Sequence, residues 1–134
     1  MRYTFHEIEE TWIDARNSCL SLGGDLVSVI NEREQEIITE NLNGSWWIGL
    51  YEERKGSWEW ADEEVANWFN FVRRQPDDYS VTNGGDAHHL RCAVIMPGEA
   101  GHWVDSSCNE AKHQYVCKHK GQLVCEFVTH LVFE

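Results

Sequence analysis

The stretch WWIGL at residues 46–50 decides how this chain folds. Its residues are aromatic, aliphatic or glycine, and no charge interrupts them, which is typical of a strand buried inside a domain. Side chains alternate between the two faces of a strand, so we expect either Trp46 or Trp47 to point outward. The stretch therefore predicts a central strand with one tryptophan as a candidate contact residue.

Two helices are predicted before this strand. Thr11 followed by Asp14 resembles a capping box, and apolar residues then recur at helical spacing until Gly23. A short strand around residues 26–29 separates this helix from a second one, which opens at Asn31. The buried face of the second helix is predicted to hold three apolar residues: Ile37, Ile38 and Leu42.

Strands dominate the rest of the chain. Trp58 and Trp60 flank Glu59 in an alternating pattern, and further strand-like runs lie at 92–96, 102–104 and 114–117. From about residue 61 to residue 91 no periodicity is visible, which in a folded domain usually marks a functional segment. Helices first and strands later indicate an α+β fold.

Composition and net charge exclude two classes of function, nucleic-acid binding and membrane insertion. The 134 residues fit one domain, and 11 Lys+Arg against 23 Asp+Glu give a formal net charge of −12. Such a charge repels phosphate backbones and anionic lipids, so we expect no nucleic-acid binding. No run approaches the roughly 20 apolar residues that cross a bilayer, so we expect no membrane insertion. Surplus carboxylates suit Ca²⁺ instead.

Five cysteines lie at positions 19, 92, 108, 117 and 125, and none forms a C-x-x-C pair. Leaving one cysteine out in five ways, with three pairings each, gives fifteen two-disulfide frameworks, and the residues alone do not choose among them. Cysteines without a metal or redox motif favour an oxidising compartment, so we expect a secreted or extracellular protein.

Taken together, many spaced elements resemble a C-type lectin-like domain of the short form, over about residues 2 to 118. They are Trp12-x-x-Ala15-x-x-x-Cys19, Gly23-Gly24-Asp25-Leu26-Val27-Ser28-Val29, Trp47-Ile48-Gly49-Leu50, Trp58-x-Trp60, Asn67-Trp68, Gln75-Pro76-Asp77, Cys92, Trp103-x-Asp105, Cys108 and Tyr115-x-Cys117. The resemblance implies two helices packed on antiparallel sheets, a long irregular binding loop and two core disulfides, Cys19–Cys117 and Cys92–Cys108.

The resemblance also divides the chain. Residues 1–118 are expected to form the carbohydrate-recognition domain, and residues 119–134 a C-terminal tail. The tail is apolar and rich in β-branched residues, so it is a candidate extra strand, dimer contact or start of another module. Because Cys125 is left over, a homodimer through Cys125 or the tail is one of the expectations.

Gln75-Pro76-Asp77 is the sharpest local signal. Proline fixes its own φ, so the amide and carboxylate beside it can be aimed at one point. In the family such a motif binds Ca²⁺ and two sugar hydroxyls, and Gln-Pro-Asp goes with galactose-type sugars. Tyr79 is expected to stack on the apolar face of the sugar. The carbohydrate-binding residues implied are therefore Gln75, Asp77, Tyr79 and Asp105.

The metal ligands implied by the resemblance are Gln75, Asp77, Asp86 and Asp105. Asp86 here stands in for a Glu that the family carries two residues before the cysteine that is Cys92 in this chain, because that position is Leu90. The family's Asn before Asp105 is Val104, and valine does not ligate a metal. These departures imply weaker Ca²⁺ binding than in the full site.

Three alternatives stay open. Zn²⁺ suits imidazole better than Ca²⁺ does, so His88, His89 and His102 are candidate zinc ligands. An auxiliary calcium site is the second alternative, with its candidate ligands Asp62, Glu63, Glu64 and Asp78. In the third, the domain binds a protein or another glycan without metal. No nucleophile elbow, phosphate loop or metalloprotease helix is visible, so we expect no enzyme.

Overall fold

A computed structural model describes residues 1–40, 42–72, 90–96, 98 and 100–120. Its elements are β1 Arg2–Glu10, α1 Trp12–Ser21, β2 Asp25–Leu26, α2 Glu32–Thr39, β3 Trp46–Arg54, β4 Ser57–Trp60, β5 Arg91–Met96, β6 His102–Ser107 and β7 His113–His119. The predicted α+β class with two helices is confirmed. Within this described part, no helix has the length and apolar character needed to cross a membrane.

Strand β3 lies at the centre of the sheet, whose order is β1-β7-β3-β5-β6, with β2 paired to β7 and β4 to β3. β3 and β7 are parallel, whereas the other pairings between named strands in the described residues are antiparallel. The expectation of antiparallel sheets is therefore wrong at β3–β7, and the sheet is mixed. Parallel neighbours need a long crossover, and three strands lie between these two along the chain.

Both faces of β3 are buried, so the prediction of one outward tryptophan is wrong. Trp46 is 2% exposed and Trp47 is 0% exposed, and they belong to different apolar clusters. Each indole N–H also donates to a backbone carbonyl, Trp46 to Asn43 at 2.6 Å and Trp47 to Glu10 at 2.7 Å. A strand covered on both sides shows no polar alternation, and neither tryptophan is available to a ligand.

The two predicted helix starts are confirmed. The Thr11 hydroxyl accepts from the Asp14 amide at 3.3 Å, and the Asn31 side chain accepts from the Glu34 amide at 2.8 Å. The predicted buried face of α2 is partly wrong, because Ile37 is 42% exposed. Two polar residues, Glu34 and Gln35, are buried on this helix instead, since both find buried partners.

Both predicted disulfides are confirmed. Cys19–Cys117 spans 98 residues and ties α1 to β7, and Cys92–Cys108 spans 16 residues and ties β5 to the end of β6. Chain-entropy estimates for loops of these lengths are about 4 to 5 and about 3 kcal/mol. The long bridge therefore fastens the two ends of the domain to each other.

A buried ion pair joins α2 to β7. The Lys118 ammonium lies 2.7 Å from the Glu34 carboxylate, and the two side chains are 1% and 8% exposed. Lys118 also donates to the Ser28 hydroxyl at 2.9 Å, and Glu34 accepts from the Tyr3 hydroxyl at 2.5 Å. Because both charges are removed from water, each depends on the other and on these hydrogen bonds.

We expect Glu34→Gln to lower the free energy of unfolding by about 3 kcal/mol, since it leaves the buried ammonium of Lys118 without a counter-charge. Urea unfolding measures the change. The matched control is Glu64→Gln, because Glu64 pairs with Lys120 at 2.5 Å while both side chains are 34% exposed. That partly exposed pair should contribute about 1 kcal/mol or less. Equal losses in the two variants would contradict the role of burial.

Three histidines pack against β1 and β7. His6 stacks on Tyr115 with ring centroids 4.8 Å apart, and His113 meets Trp47 edge-on at 4.7 Å. His119 is 2% exposed and lies 3.0 Å from the Thr4 hydroxyl. Burial lowers the pKa of all three imidazoles below the ordinary histidine value. The folded protein therefore prefers their neutral forms.

Acid should weaken the fold through these histidines. The unfolded chain takes up their protons near pH 6.5, the ordinary value, whereas the folded chain takes them up at lower pH. Their stabilising contribution is thus complete above about pH 6.5 and is lost as the pH falls below it. Thermal unfolding between pH 7.5 and 5.5 should show a falling midpoint, and His113→Gln should flatten that slope. An unchanged slope in this variant would contradict the assignment.

Candidate functional site

The predicted irregular stretch runs from about residue 61 to residue 91, and its part outside the described residues, the segment 73–89, carries Gln75, Asp77, Tyr79 and Asp86. Phe71 before this segment bridges to Trp103 of β6, and β5 follows it, so we call β5 and β6 its base. Just before the segment, the Val72 amide donates to the Trp103 carbonyl at 2.8 Å, and the Trp103 amide donates to the Asn70 carbonyl at 2.9 Å. Just after it, the chain enters β5 at Arg91. There Cys92–Cys108 fastens the start of β5 to the end of β6.

Trp103 is the rigid floor of this base. Its side chain is fully buried, and the rings of Trp60, Trp68 and Phe71 meet it edge-on with centroids 5.6 to 5.8 Å away. Its indole N–H donates to the Gln35 side chain at 2.9 Å, which links the floor to α2. Edge-to-face aromatic packing is favourable and directional, so the floor has one defined geometry.

Asp105 is the described member of the predicted site. It lies on β6, its side chain is 0% exposed, and its carboxylate accepts from the Arg91 guanidinium at 3.0 Å. The Arg91 side chain is 15% exposed. The other predicted sugar and metal ligands, Gln75, Asp77, Tyr79 and Asp86, lie outside the described residues.

The two positions where the family carries further ligands are apolar packing positions. Leu90 and Val104 are partly buried and pack against the cluster that contains Cys92 and Cys108. Both side chains therefore support the disulfide at the base of the segment. Neither side chain carries an oxygen that a cation binds.

One of the four predicted metal ligands, Asp105, lies in the described part of the chain. Ca²⁺ takes six to eight oxygen ligands. The carboxylate of Asp105 already binds the guanidinium of Arg91. Within residues 1–40, 42–72, 90–96, 98 and 100–120, no three His, Cys, Asp or Glu side chains come together as a metal site. Of the candidate zinc ligands, His102 begins β6 opposite Met96, and His88 and His89 lie outside the described residues.

A basic side chain also binds two of the candidate ligands of the auxiliary calcium site. The Lys120 ammonium lies 3.1 Å from the Asp62 carboxylate and 2.5 Å from the Glu64 carboxylate. Asp62 also accepts from the Ser28 hydroxyl at 2.6 Å. Asp78, the fourth residue of that set, lies outside the described residues. Asp62 and Glu64 thus serve an ion pair that holds the segment after β4 against the end of β7, whereas Glu63 is exposed.

Arg91 is the site residue that the sequence analysis missed. The signal was available in the strand register, because Arg91 pairs with Ser107 and Ala93 pairs with Asp105 across β5 and β6. Residues two positions apart lie on the same face of a strand, so Arg91 and Asp105 are diagonal neighbours within reach of a long side chain. Recognising this required the register of the two strands, which the residues alone do not specify.

The family model described as "Lectin C-type domain" matches residues 8–119. The chain belongs to this family. Human C-type mannose receptor 2 is 33% identical over 120 residues, which are 87% of this chain and 8% of the receptor. Mouse regenerating islet-derived protein 3-beta is 33% identical over 132 residues, with 89% of this chain and 71% of the relative covered.

A solved structure shows the same fold in three dimensions. The human scavenger receptor C-type lectin carbohydrate-recognition domain superposes with a TM-score of 0.75 at 30% identity, and the match covers 88% of this chain and 90% of the other. The predicted C-type lectin fold is therefore confirmed. Since the chain spans 8% of the length of the mannose receptor, that receptor's activity as a whole does not transfer to it.

Proposed function

We propose that this C-type lectin domain binds galactose-type sugars through the segment 73–89 and the β5–β6 base beneath it. The observation that supports this is the construction of the base. The backbone of Trp103, the aromatic floor, binds Val72 just before the segment, and the Arg91–Asp105 ion pair and the Cys92–Cys108 disulfide lie where the chain enters β5 after it. Binding residues on a loop held by a rigid scaffold are a common arrangement in recognition proteins. Residues 1–118 would form the recognition domain and residues 119–134 a separate tail.

The proposed contacts follow from side-chain chemistry. Gln75 both donates and accepts hydrogen bonds and Asp77 accepts them, so the pair matches two neighbouring sugar hydroxyls. The ring of Tyr79 offers a flat apolar surface to the apolar face of galactose. A matching relative, the scavenger receptor domain, is itself described as a carbohydrate-recognition domain. Binding rather than catalysis is the proposed activity.

Two modes of metal use are candidates. In the first, Ca²⁺ is held by Gln75, Asp77 and Asp86, with Asp105 as a further ligand, and the ion supplies coordination positions to sugar hydroxyls. In the second, the same face binds its glycan or a protein ligand without metal. The ion pair between Arg91 and Asp105 favours the second mode, because it already neutralises the carboxylate that the first mode needs.

The proposed setting is secreted or extracellular, because two disulfides persist in oxidising compartments. Glycans on cell or microbial surfaces are the proposed partners, which would suit a role in innate immunity. The net charge of −12 argues against nucleic acid as a partner. A homodimer through Cys125 or the tail is a further proposal, and non-reducing electrophoresis tests it.

We expect Asp77→Ala to abolish retention on galactose-agarose, since it removes the carboxylate that accepts from the sugar. The fold should be unaffected, as judged by the urea midpoint and by both disulfides. Asp78→Ala is the matched control, because it removes the neighbouring carboxylate outside the motif and should retain most of the binding. Full retention of Asp77→Ala would rule out the proposed site.

We expect Tyr79 to contribute to galactose binding through its aromatic ring. Loss of a stacking contact of about 1 kcal/mol in Tyr79→Ala weakens galactose binding about fivefold. Calorimetric titration with galactose measures the affinity. Tyr79→Phe keeps the ring and should bind as the parent protein does. If Tyr79→Phe binds as weakly as Tyr79→Ala, the hydroxyl rather than the ring makes the contact, and stacking is the wrong explanation.

A further inference from the structure

We infer that Arg91 is the built-in cation of the binding face: its guanidinium takes the place of a divalent metal at Asp105, which makes ligand binding independent of calcium. The inference rests on the proposed function, because it concerns how the same face is held ready for its sugar. It extends that proposal by choosing between the two modes of metal use and by naming the residue responsible.

The geometry of the pair is set by the strands. Arg91 pairs with Ser107, Cys92 with Ser106 and Ala93 with Asp105 in the antiparallel register of β5 and β6. Arg91 and Asp105 therefore project from the same face, and Nε lies 3.0 Å from the carboxylate. Since Cys92 is bonded to Cys108, the two strands cannot slide and separate the charges. The pair is a fixed part of the base.

Burial makes the pairing obligatory. The Asp105 side chain is 0% exposed, and a carboxylate removed from water needs a cation or hydrogen-bond donors close by. A guanidinium keeps its charge at every pH a protein meets, so Arg91 supplies that cation permanently. A calcium ion bound to the same carboxylate would have to displace the guanidinium or lie beside a like charge.

Two further ligand positions of the family, both among the described residues, carry no oxygen on their side chains. Leu90 and Val104 precede Arg91 and Asp105 directly on their strands, and both pack against the apolar cluster around Cys92 and Cys108. A divalent ion would lose the oxygens that these two positions supply elsewhere in the family. A positive side chain is not affected by that loss, because it brings its own hydrogen-bond donors.

An independent part of the chain shows the same arrangement. Asp62 and Glu64, which belong to the second carboxylate set where calcium was an expectation, both bind the ammonium of Lys120 at 3.1 and 2.5 Å. The two sets lie on different segments and use different basic residues. Basic side chains therefore neutralise Asp105, Asp62 and Glu64 at the two places where the resemblance implied a metal.

The first measurement compares the unmodified protein in excess CaCl₂ and in EDTA. We expect equal retention on galactose-agarose and equal thermal midpoints in the two buffers. Retention that is lost only in EDTA, or a midpoint several degrees higher in CaCl₂, would overturn the inference while the sugar-binding proposal stands. Loss of retention in both buffers would overturn the sugar-binding proposal, and equal midpoints would still support the inference.

The second measurement restores the missing ligands. Calcium affinity by calorimetry is compared between Leu90→Glu/Val104→Asn and the same variant with Arg91→Gln added. We expect the added change to tighten Ca²⁺ binding at least tenfold, about 1.4 kcal/mol, because it removes the competing cation. The matched control adds Arg16→Gln instead, since Arg16 binds Asp25 through Nε at the same 3.0 Å, away from β5 and β6. Equal Ca²⁺ affinity with and without Arg91 would overturn the inference. Where a variant fails to form both disulfides, the EDTA comparison decides.

Discussion

The parallel pairing of β3 with β7 is the constraint on which the rest of the structure depends. It sets the last described strand beside the central one, through Trp46 with Gln114 and Trp47 with Tyr115. Once β7 lies there, β1 pairs along its other edge, β2 pairs with Cys117 and Lys118 on the edge that β3 uses, and Cys117 meets Cys19. The paired residues are far apart in sequence, so these contacts must offset the entropy cost of closing a long loop, a cost that grows only slowly with loop length.

A close approach of backbones completes the centre of the fold. Gly49 on β3 donates to the Val27 carbonyl at 2.8 Å, and a methyl group built on it would lie 2.8 Å from the Leu26 carbonyl oxygen. Only glycine permits the segment after α1 to cross β3 at this distance. The crossing buries the second face of the strand, which is why a run without polar alternation occupies this position.

Three carboxylates that are largely removed from water in this acidic chain are neutralised by basic side chains. Glu34 binds Lys118, Asp105 binds Arg91, and Asp62 binds Lys120. Each pair joins elements from different parts of the chain, so charge neutralisation and tertiary contact coincide. The chain has 23 acidic and 11 basic residues, so basic side chains are in the minority. Those in buried pairs matter for stability, because their removal would leave a buried carboxylate without a counter-charge.

Local signals in the sequence were sufficient for what depends on neighbours in the chain. Thr11 and Asn31 start the two helices because each caps an amide three residues ahead, and WWIGL at 46–50 forms the central strand because no polar residue interrupts it. The cysteine pairing followed from the family resemblance, since fifteen frameworks were open to the residues alone.

Tertiary structure decided what depends on neighbours in space. Ile37 is exposed, although its spacing suits a buried helix face, because Glu34 and Gln35 find buried partners on β7 and around Trp103. Arg91 and Asp105 are fourteen positions apart in the chain, and the register of β5 and β6 brings their side chains together. The pattern of apolar residues along the chain indicates which side chains avoid water. The partner of each charged side chain is set by the pairing of distant segments, and that pairing is visible only in the folded molecule.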